Sequence, residues 1–129
     1  IVNLLNEKLK NNPKNIQIRA YLAKTQENLE ELKVIWKESG EKSLLASLSI
    51  ANMCYYQKNY QDAMEYYQSC LKLNRLAPHV IFPLGCCFME LGHLDHALDA
   101  FSQSEKSTDE IFHKNSLTNM AYIYMKQSE

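Results

Sequence analysis

The chain has 129 residues, about one domain, and 46% of them are apolar, which is enough to form a hydrophobic core. Fourteen basic residues stand against fifteen acidic ones, so the chain lacks the basic excess of a typical nucleic-acid backbone binder. It contains only three Gly and three Pro, which favours long helices over a turn-rich β fold. No apolar run approaches the roughly 18 residues of a membrane-spanning helix, and no signal peptide is visible.

The spacing of apolar residues predicts helices along the whole chain. A first helix over 1–11 ends before Pro13, and a shorter helix pair follows, with its turn at 24–28. Further helices are predicted over 41–57, 60–73, 78–91, 94–106 and 112–126. Because the chain begins with Ile1 inside an apolar pattern and the last helix has no successor, we expect a piece of a longer protein.

Two blocks of sequence repeat at a spacing of 34 residues. Three pairs of positions show the repeat: Ile50-Ala51 with Leu84-Gly85, Ala63 with Ala97, and Tyr67 with Phe101. A fixed period of this size is typical of helical solenoids, in which each helix pair buries its apolar face only against its neighbours. Such folds present recognition surfaces and are seldom catalysts, so the pattern predicts a binding protein.

The repeat resembles the tetratricopeptide repeat (TPR) family, whose signature is W-x2-L-G-x2-Y, then A-x3-F, then P. Four segments carry the resemblance: Leu84-Gly85-x2-Phe88 with Ala97-x3-Phe101, Ile50-Ala51-x2-Cys54 with Ala63-x3-Tyr67, Leu117-x2-Met120-Ala121-x2-Tyr124, and more weakly Leu22-Ala23. The resemblance implies an all-α, right-handed TPR-type solenoid of about seven to eight antiparallel helices. The small residues Gly85, Ala51 and Ala121 are expected to let paired helices approach closely, while large residues fill the gaps.

The resemblance also implies a division of the chain into repeats. We expect a single TPR domain fragment over 1–129, in which the first unit is compressed and the last follows a two-residue insertion. The predicted parts are a half-repeat helix at 1–12, a degenerate repeat at 14–40, repeats at 44–77 and 78–111, and the first helix of a further repeat at 112–129.

A finer resemblance rests on Trp36-Lys37-Glu38-Ser39 and on the segment from Phe82 to Cys87, which reads F-P-L-G-C-C. These segments look like the eukaryotic tetratricopeptide repeat protein 27 family, in which a W-E-x-S element precedes a repeat containing L-G-C. That family's next repeat usually opens W-N-N-L-A, whereas this chain has Leu117-Thr118-Asn119-Met120-Ala121. The resemblance implies an intracellular scaffold or assembly factor of the co-chaperone type.

In TPR solenoids the first helix of each pair lines a concave groove. By that register the partner-binding groove here contains nine residues: Asn52, Tyr55, Tyr56, His79, Phe82, Cys86, Met89, Asn119 and Tyr122. Aromatic rings with polar tips, together with Met, suit an extended peptide or a partner helix. The alternative for Tyr55 and Phe82 is that they only pack the helix interface.

Other site chemistries fit the sequence poorly. Some TPR domains grip a C-terminal carboxylate through Lys, Asn and Arg, but of the matching positions here only Asn52 agrees. His93 and His96 beside Cys86-Cys87 lack the spacing of a zinc site, and no orienting group accompanies a Cys-His pair. We therefore expect no enzyme activity, no metal and no other cofactor.

The sequence leaves two points undecided: the shape of the helix around Pro83 and the state of the cysteines. Pro83 falls near the fourth or fifth position of its helix, so the helix is expected to begin late, near Val80, or to bend. The four cysteines, Cys54, Cys70, Cys86 and Cys87, are too sparse for a disulfide scaffold, which favours reduced thiols in the cytoplasm or nucleus.

The sequence therefore predicts a non-catalytic scaffold that binds a protein or peptide partner in the TPR groove. Small-molecule substrates, membranes and nucleic acids are not the expected partners, and the exposed terminal helices leave self-association open. One alternative is an RNA-binding helical-repeat protein, which would need a basic groove. The other is a purely structural segment of a larger solenoid.

Overall fold

The computed structural model describes residues 2–11, 15–73 and 78–128, and within them the chain forms eight helices and no strand. The helices are α1 (Val2–Asn11), α2 (Ile16–Thr25), α3 (Leu29–Glu38), α4 (Leu44–Tyr56), α5 (Tyr60–Leu73), α6 (Pro78–Glu90), α7 (Leu94–Ser104) and α8 (Glu110–Gln127). The predicted all-α, right-handed helical-hairpin solenoid is confirmed. None of the helices in these ranges is both long and apolar enough to cross a membrane.

Most helix limits agree with the sequence prediction, and capping residues explain the differences. Helix α4 begins at Leu44 rather than near Glu41, because the Ser43 side chain accepts the Ala46 N–H and Glu41 has a φ of 63°. Helix α8 begins two residues earlier than predicted, because Asp109 accepts the Ile111 N–H at 2.9 Å.

The hairpins α2–α3, α4–α5 and α6–α7 share one turn geometry. In each turn one residue has a left-handed backbone conformation. The N–H of the residue after it donates a hydrogen bond to the carbonyl five residues earlier, which is the Schellman pattern. The left-handed residues are Glu27, Lys58 and Gly92. The three bonds, each 2.8 Å long, run from Asn28 to Ala23, from Asn59 to Cys54 and from His93 to Phe88.

The turns align the first hairpin with the others and correct the sequence register there. Since Ala23, Cys54 and Phe88 are equivalent, the small-residue position of the first hairpin is Ala20, fully buried, and not Ala23 of the Leu22-Ala23 pair. The compression predicted upstream is confirmed, because equivalent residues are 31 apart between the first two hairpins and 34 apart between the next two. Helix α3 has 10 residues against 14 in α5, and five residues rather than four separate it from the next helix, which together give the shortening by three.

The core follows the predicted pairing of small and large residues. A Cβ at Gly85 would lie 2.8 Å from Cε1 and 3.0 Å from Cδ1 of Phe101, so α6 packs directly on that ring. Ala51, Ala63, Ala97 and Tyr67 are also buried. Close packing of this kind is sensitive to a single added methyl group, so Gly85 and Phe101 fix the distance between α6 and α7.

The C-terminal helix α8 buries only one side. Ile123 and Ser116 are fully buried, and the Ser116 and Ser104 hydroxyls hydrogen-bond at 2.6 Å between α8 and α7. Ala121, predicted to sit in a close helix contact, is exposed, because no described helix packs on its side of α8. The close helix contact predicted at Ala121 therefore stays a prediction.

Helix α6 runs without interruption through Pro83, which is its sixth residue. Its start at Pro78 shows that the late start near Val80 was wrong. Pro83 has no N–H to donate, so the helix lacks the backbone bond that would reach the His79 carbonyl. His79 is exposed, and solvent can satisfy that carbonyl at little cost.

Candidate functional site

The first helices of the hairpins, α2, α4 and α6, and the terminal helix α8 carry the candidate groove, which we call the first-helix face. Helix α2 contacts α4, and α6 contacts α8. The nine predicted groove residues differ widely in exposure along this face. Tyr56, His79 and Tyr122 are exposed; Asn52, Tyr55, Phe82, Met89 and Asn119 are half-buried; Cys86 is buried.

A cleft of about 580 Å³ opens between the C-terminal end of α6 and α8. It brings together Met89, Asn119 and Tyr122, which were predicted from separate parts of the sequence. The thioether, the amide and the half-exposed phenol give it an apolar floor with polar groups at its edge. Its remaining lining residues, which sequence reasoning missed, are Glu90, Gly92, Leu94, Thr118 and Lys126.

Glu90 and Lys126 add one negative and one positive charge to the cleft. Both lie at helix C-termini, α6 for Glu90 and α8 for Lys126. A signal was available, because Glu90 directly follows Met89 and Lys126 is four residues after Tyr122. The charges provide polar recognition beside an apolar surface, as interface rims do.

Tyr55 and Cys86 link α4 to α6 beneath the exposed surface. The Tyr55 ring packs edge-on against Tyr60 with a centroid distance of 5.7 Å, and its hydroxyl interacts with the Cys86 thiol. Burial, followed by Cys86, raises the pKa of Tyr55. Burial also raises the pKa of the Cys86 thiol to about 11. At neutral pH both groups are therefore uncharged, and they pack the interface.

Two other predicted groove residues are already engaged inside the protein. The Tyr67 hydroxyl donates a 2.5 Å hydrogen bond to the Asn52 side-chain oxygen, which fixes the orientation of that amide. The Phe82 ring lies 5.6 Å from that of Phe101 and 5.7 Å from that of Phe112. These distances are typical of stabilising aromatic pairs, so Phe82 joins α6 to α7 and α8.

Tyr56 and His79 stand outside the α6–α8 cleft. Tyr56 is the last residue of α4, is 82% exposed and has its ring 6.0 Å from that of Tyr55. His79 is exposed near the start of α6. An exposed aromatic residue beside a polar helix end is available for contact at little conformational cost.

A second cleft, of about 620 Å³, lies between α2 and the start of α4. Sequence reasoning missed it, because the compressed first unit obscured which residues of α2 face α4. Its lining is mainly apolar and contains one charge, that of Lys42: Ile16, Gln17, Tyr21, Ser39, Lys42, Ser43, Leu44 and Leu45.

The cysteines are all free and buried. Burial, and then the neighbouring Cys86 and Cys54, raise the pKa of Cys87 to about 12. Such thiols are protonated at neutral pH and are poor nucleophiles and poor metal ligands. Within the described ranges no three His, Cys, Asp or Glu side chains converge as a metal site would require.

Hairpins that stack through small and large residues, with clefts along the face of their first helices, define a TPR-type helical solenoid. The chain is similar to the crystal structures of MamA, with TM-scores of 0.79 and 0.78 and 18% identity. Both alignments cover 98% of this chain, and they cover 77% and 72% of the MamA chains. At this identity the likeness shows the fold alone.

The chain is also 28% identical over 102 residues to a TPR repeat-containing protein of Schizosaccharomyces pombe. That alignment covers 79% of this chain but only 12% of the yeast protein. No protein-family model matches the chain. The fold and the yeast relative together support the TPR superfamily.

Proposed function

We propose that this chain is a non-catalytic interaction scaffold that binds a segment of a partner protein in the concave groove formed by its first-helix face. The observation that carries the proposal is the α6–α8 cleft, which combines Met89, Asn119 and Tyr122 with the charges of Glu90 and Lys126. An apolar floor with a few polar groups matches the central pocket of a protein interface.

The contacts within the protein narrow the proposed binding set. Met89, Asn119 and Tyr122 contact the partner directly, and the exposed Tyr56 and His79 extend the surface along α4 and α6. The four remaining residues support the groove from below: Asn52, Tyr55, Phe82 and Cys86. Asn119 joins the two layers, because its amide lies 4.0 Å from the Cys86 sulfur.

The wider assignment follows from the same proposal. The chain is a single TPR domain fragment divided as the sequence predicts, works in the cytoplasm or nucleus, and serves as an assembly factor of the tetratricopeptide repeat protein 27 type. The segments Trp36–Ser39 and Phe82–Cys87 support that finer assignment.

Tyr122 and Tyr124 provide a matched pair to test the groove. Both are on α8, with 50% and 57% of their surface exposed, but only Tyr122 lines the cleft. A photoreactive phenylalanine analogue at position 122 of the full-length protein should crosslink in cells to one defined partner segment, identified by mass spectrometry. The same analogue at 124 should not capture that segment. Equal capture at both positions would rule out the groove.

Charge substitution gives an independent measurement. Tyr122→Glu and Tyr56→Glu should weaken binding of the crosslinked segment by about tenfold or more, since burying a charge in an apolar contact costs several kcal/mol. Tyr124→Glu should leave the affinity unchanged. Thermal unfolding of all three variants should match the unsubstituted chain, because all three side chains are exposed. Unchanged binding by both Tyr122→Glu and Tyr56→Glu would refute the proposal.

A second candidate is a structural segment of a larger solenoid, and the exposed side of α8 favours it. Four large apolar residues are exposed there: Ile111, Leu117, Tyr124 and Met125. In that case the surface around Tyr124 would crosslink to another part of the same polypeptide, and position 122 would capture no separate protein.

A further inference from the structure

A second recognition feature lies away from the first-helix face, between α3 and α5. Trp36 from α3 and Tyr66 from α5 meet edge-on with ring centroids 5.1 Å apart, and beside them lies a cleft of about 210 Å³. The cleft belongs to the second helices of two successive hairpins, so it is separate from the proposed groove. Its lining is Trp36, Lys37, Glu41, Asp62, Glu65, Tyr66 and Ser69.

The charges around this aromatic pair are mainly negative. Asp62 lies four residues before Tyr66 and so on the same face of α5, Glu65 directly precedes Tyr66, and Glu41 enters from the turn after α3; all three line the cleft. Burial, then Cys54, then the carboxylates of Asp62, Glu65 and Glu41 raise the pKa of Tyr66. The three carboxylates are therefore close enough to the phenol to disfavour a further negative charge.

The protein already places a cation on the aromatic surface. The Lys37 ammonium lies 5.2 Å from the centroid of the Trp36 ring and 3.1 Å from a Glu41 carboxylate oxygen. A separation below about 6 Å is that of a cation–π interaction. The geometry shows that this cleft stabilises a side-chain cation, here one that the chain itself supplies.

Lys37 is weakly held. Its side chain is 71% exposed and that of Glu41 is 52% exposed, and exposed pairs of this kind contribute little to stability. Asp62 and Glu65 form no ion pair among the described residues and accept hydrogen bonds only from neutral groups, the amides of Asn59 and Gln61. Two carboxylates therefore remain available to an incoming cation after Lys37 leaves.

The indole N–H of Trp36 is left without a hydrogen-bond partner. Its nitrogen is buried and has no acceptor among the described residues. A buried donor without an acceptor is destabilised by loss of hydration. Because the protein covers this nitrogen, the indole N–H serves as a reporter of changes at the Trp36 ring and not as a direct contact for a partner.

We propose that the Trp36–Tyr66 cleft is a docking site for an arginine or lysine side chain of a partner protein, which displaces Lys37 from the Trp36 ring. The charges support this occupant, because the lining carries three carboxylates and the single ammonium of Lys37. An arginine fits best, since a planar guanidinium stacks on an indole and reaches a carboxylate at the same time. The site adds a contact on the second helices to any partner bound in the groove.

The chain carries its own reporter for the test, because Trp36 is its sole tryptophan. An acetylated, amidated Gly-Gly-Arg-Gly-Gly peptide is titrated into the ¹⁵N-labelled chain while the single indole N–H signal is followed by NMR. The control peptide has citrulline in place of arginine and is neutral at nearly the same shape. The arginine peptide should shift the indole signal in a saturable manner, and the citrulline peptide should not. Equal shifts with both peptides, or none with either, would overturn the proposal.

Substitutions make the test specific to the cleft. Lys37→Ala should strengthen arginine-peptide binding by about fivefold, because it removes the competing cation. Asp62→Asn combined with Glu65→Gln should weaken it by about tenfold. The matched control is Asp95→Asn with Asp99→Asn, on exposed residues of α7, where Asp99 is the position equivalent to Glu65. If the control weakened binding as much as the α5 pair, the effect would be one of net charge and the site would be excluded.

Discussion

The first and third hairpins have the same turn but different means of holding their helices together. In the third hairpin, Gly85 lets α6 rest on the ring of Phe101, and the contact is wholly apolar. In the first, Ala20 occupies the position of Gly85, and Trp36, only half-buried, occupies that of Phe101. Thus the turn sets the register of a hairpin, while the packing beneath it can differ.

The first hairpin replaces part of that apolar contact with ion pairs. Arg19 on α2 donates to Glu31 at 2.8 Å and to Glu38 at 2.5 Å, both on α3. These bonds raise the pKa of Arg19, with the one to Glu31 contributing most. The two hairpins should therefore respond differently to pH, salt and side-chain size, which leads to four tests.

High pH should destabilise the contact between the second and third hairpins, where Cys86 of α6 lies against Tyr55 of α4. Cys86 has a pKa of about 11 in the folded chain against 9.0 for a free thiol, so between these values the unfolded chain loses a proton that the folded chain keeps. Stability is then complete below pH 9 and falls as pH rises through 11, by about 3 kcal/mol in all at about 1.4 kcal/mol per pKa unit, of which about 2 kcal/mol is lost by pH 10.5. Urea unfolding at pH 8 and 10.5 measures this loss.

The control for the alkaline test is Cys86→Ala. It should be less stable at pH 8, because it leaves a cavity, yet lose less stability between pH 8 and 10.5. An equal alkaline loss in both proteins would show that another group is responsible.

Gly85→Ala should destabilise the third hairpin by up to about 2 kcal/mol. The added methyl would overlap the Phe101 ring, at a cost of roughly 1–3 kcal/mol, offset in part by about 1 kcal/mol of better helix propensity. Adding Phe101→Leu should recover part of the loss relative to the sum of the single variants. Additive effects in a double-mutant cycle would show that the two residues do not constrain each other.

Arg19→Ala should destabilise the first hairpin by about 1 kcal/mol, because it breaks two partly exposed ion pairs. The loss should shrink in 1 M salt, where charges are screened within about 3 Å. The Gly85→Ala loss, being steric, should not shrink. Identical salt dependence for both variants would remove the distinction between the hairpins.

Lys58→Gly should stabilise the chain by about 0.5 kcal/mol, the smallest effect. Lys58 has a φ of 64°, a conformation that costs an ordinary side chain about 1 kcal/mol, partly offset by the greater freedom of glycine when unfolded. Gly92→Ala, at the equivalent turn, should be destabilising. The thermal unfolding midpoints of both variants measure these effects. A lower midpoint for Lys58→Gly would contradict the proposal that the turns share one left-handed geometry.

The sequence was sufficient to predict the fold, because the residues that repeat are the residues that pack. Gly85 and Phe101, with their matches 34 residues earlier, form the repeat pattern and also the contacts between paired helices. It was insufficient for the first hairpin, where Leu22-Ala23 looked like the signature but the turn bond to the Ala23 carbonyl places Ala20 there. Because the first unit is three residues shorter, its apolar residues keep their helical spacing, but different residues align with the later repeats.

The site was harder to foresee than the fold. Register placed Met89, Asn119 and Tyr122 on one face, and the structure brings them to one cleft. Register could not show that Tyr67 engages the Asn52 side chain or that Cys86 is covered, because these depend on how far neighbouring hairpins approach. Ala121 is exposed for a different reason: a small residue marks a contact only where a second helix is present, and no described helix follows α8.

The three identical turns also show where this chain can change its length. From the small-residue position on the first helix to its partner on the second, each hairpin keeps the same interval: Ala20 to Leu32, Ala51 to Ala63 and Gly85 to Ala97. All variation in spacing lies after that point, in the second helix and the link to the next hairpin. This part of the hairpin is thus the constant unit, and the end of the second helix and the link after it are where insertions and deletions can alter the curvature of the array without disturbing a turn.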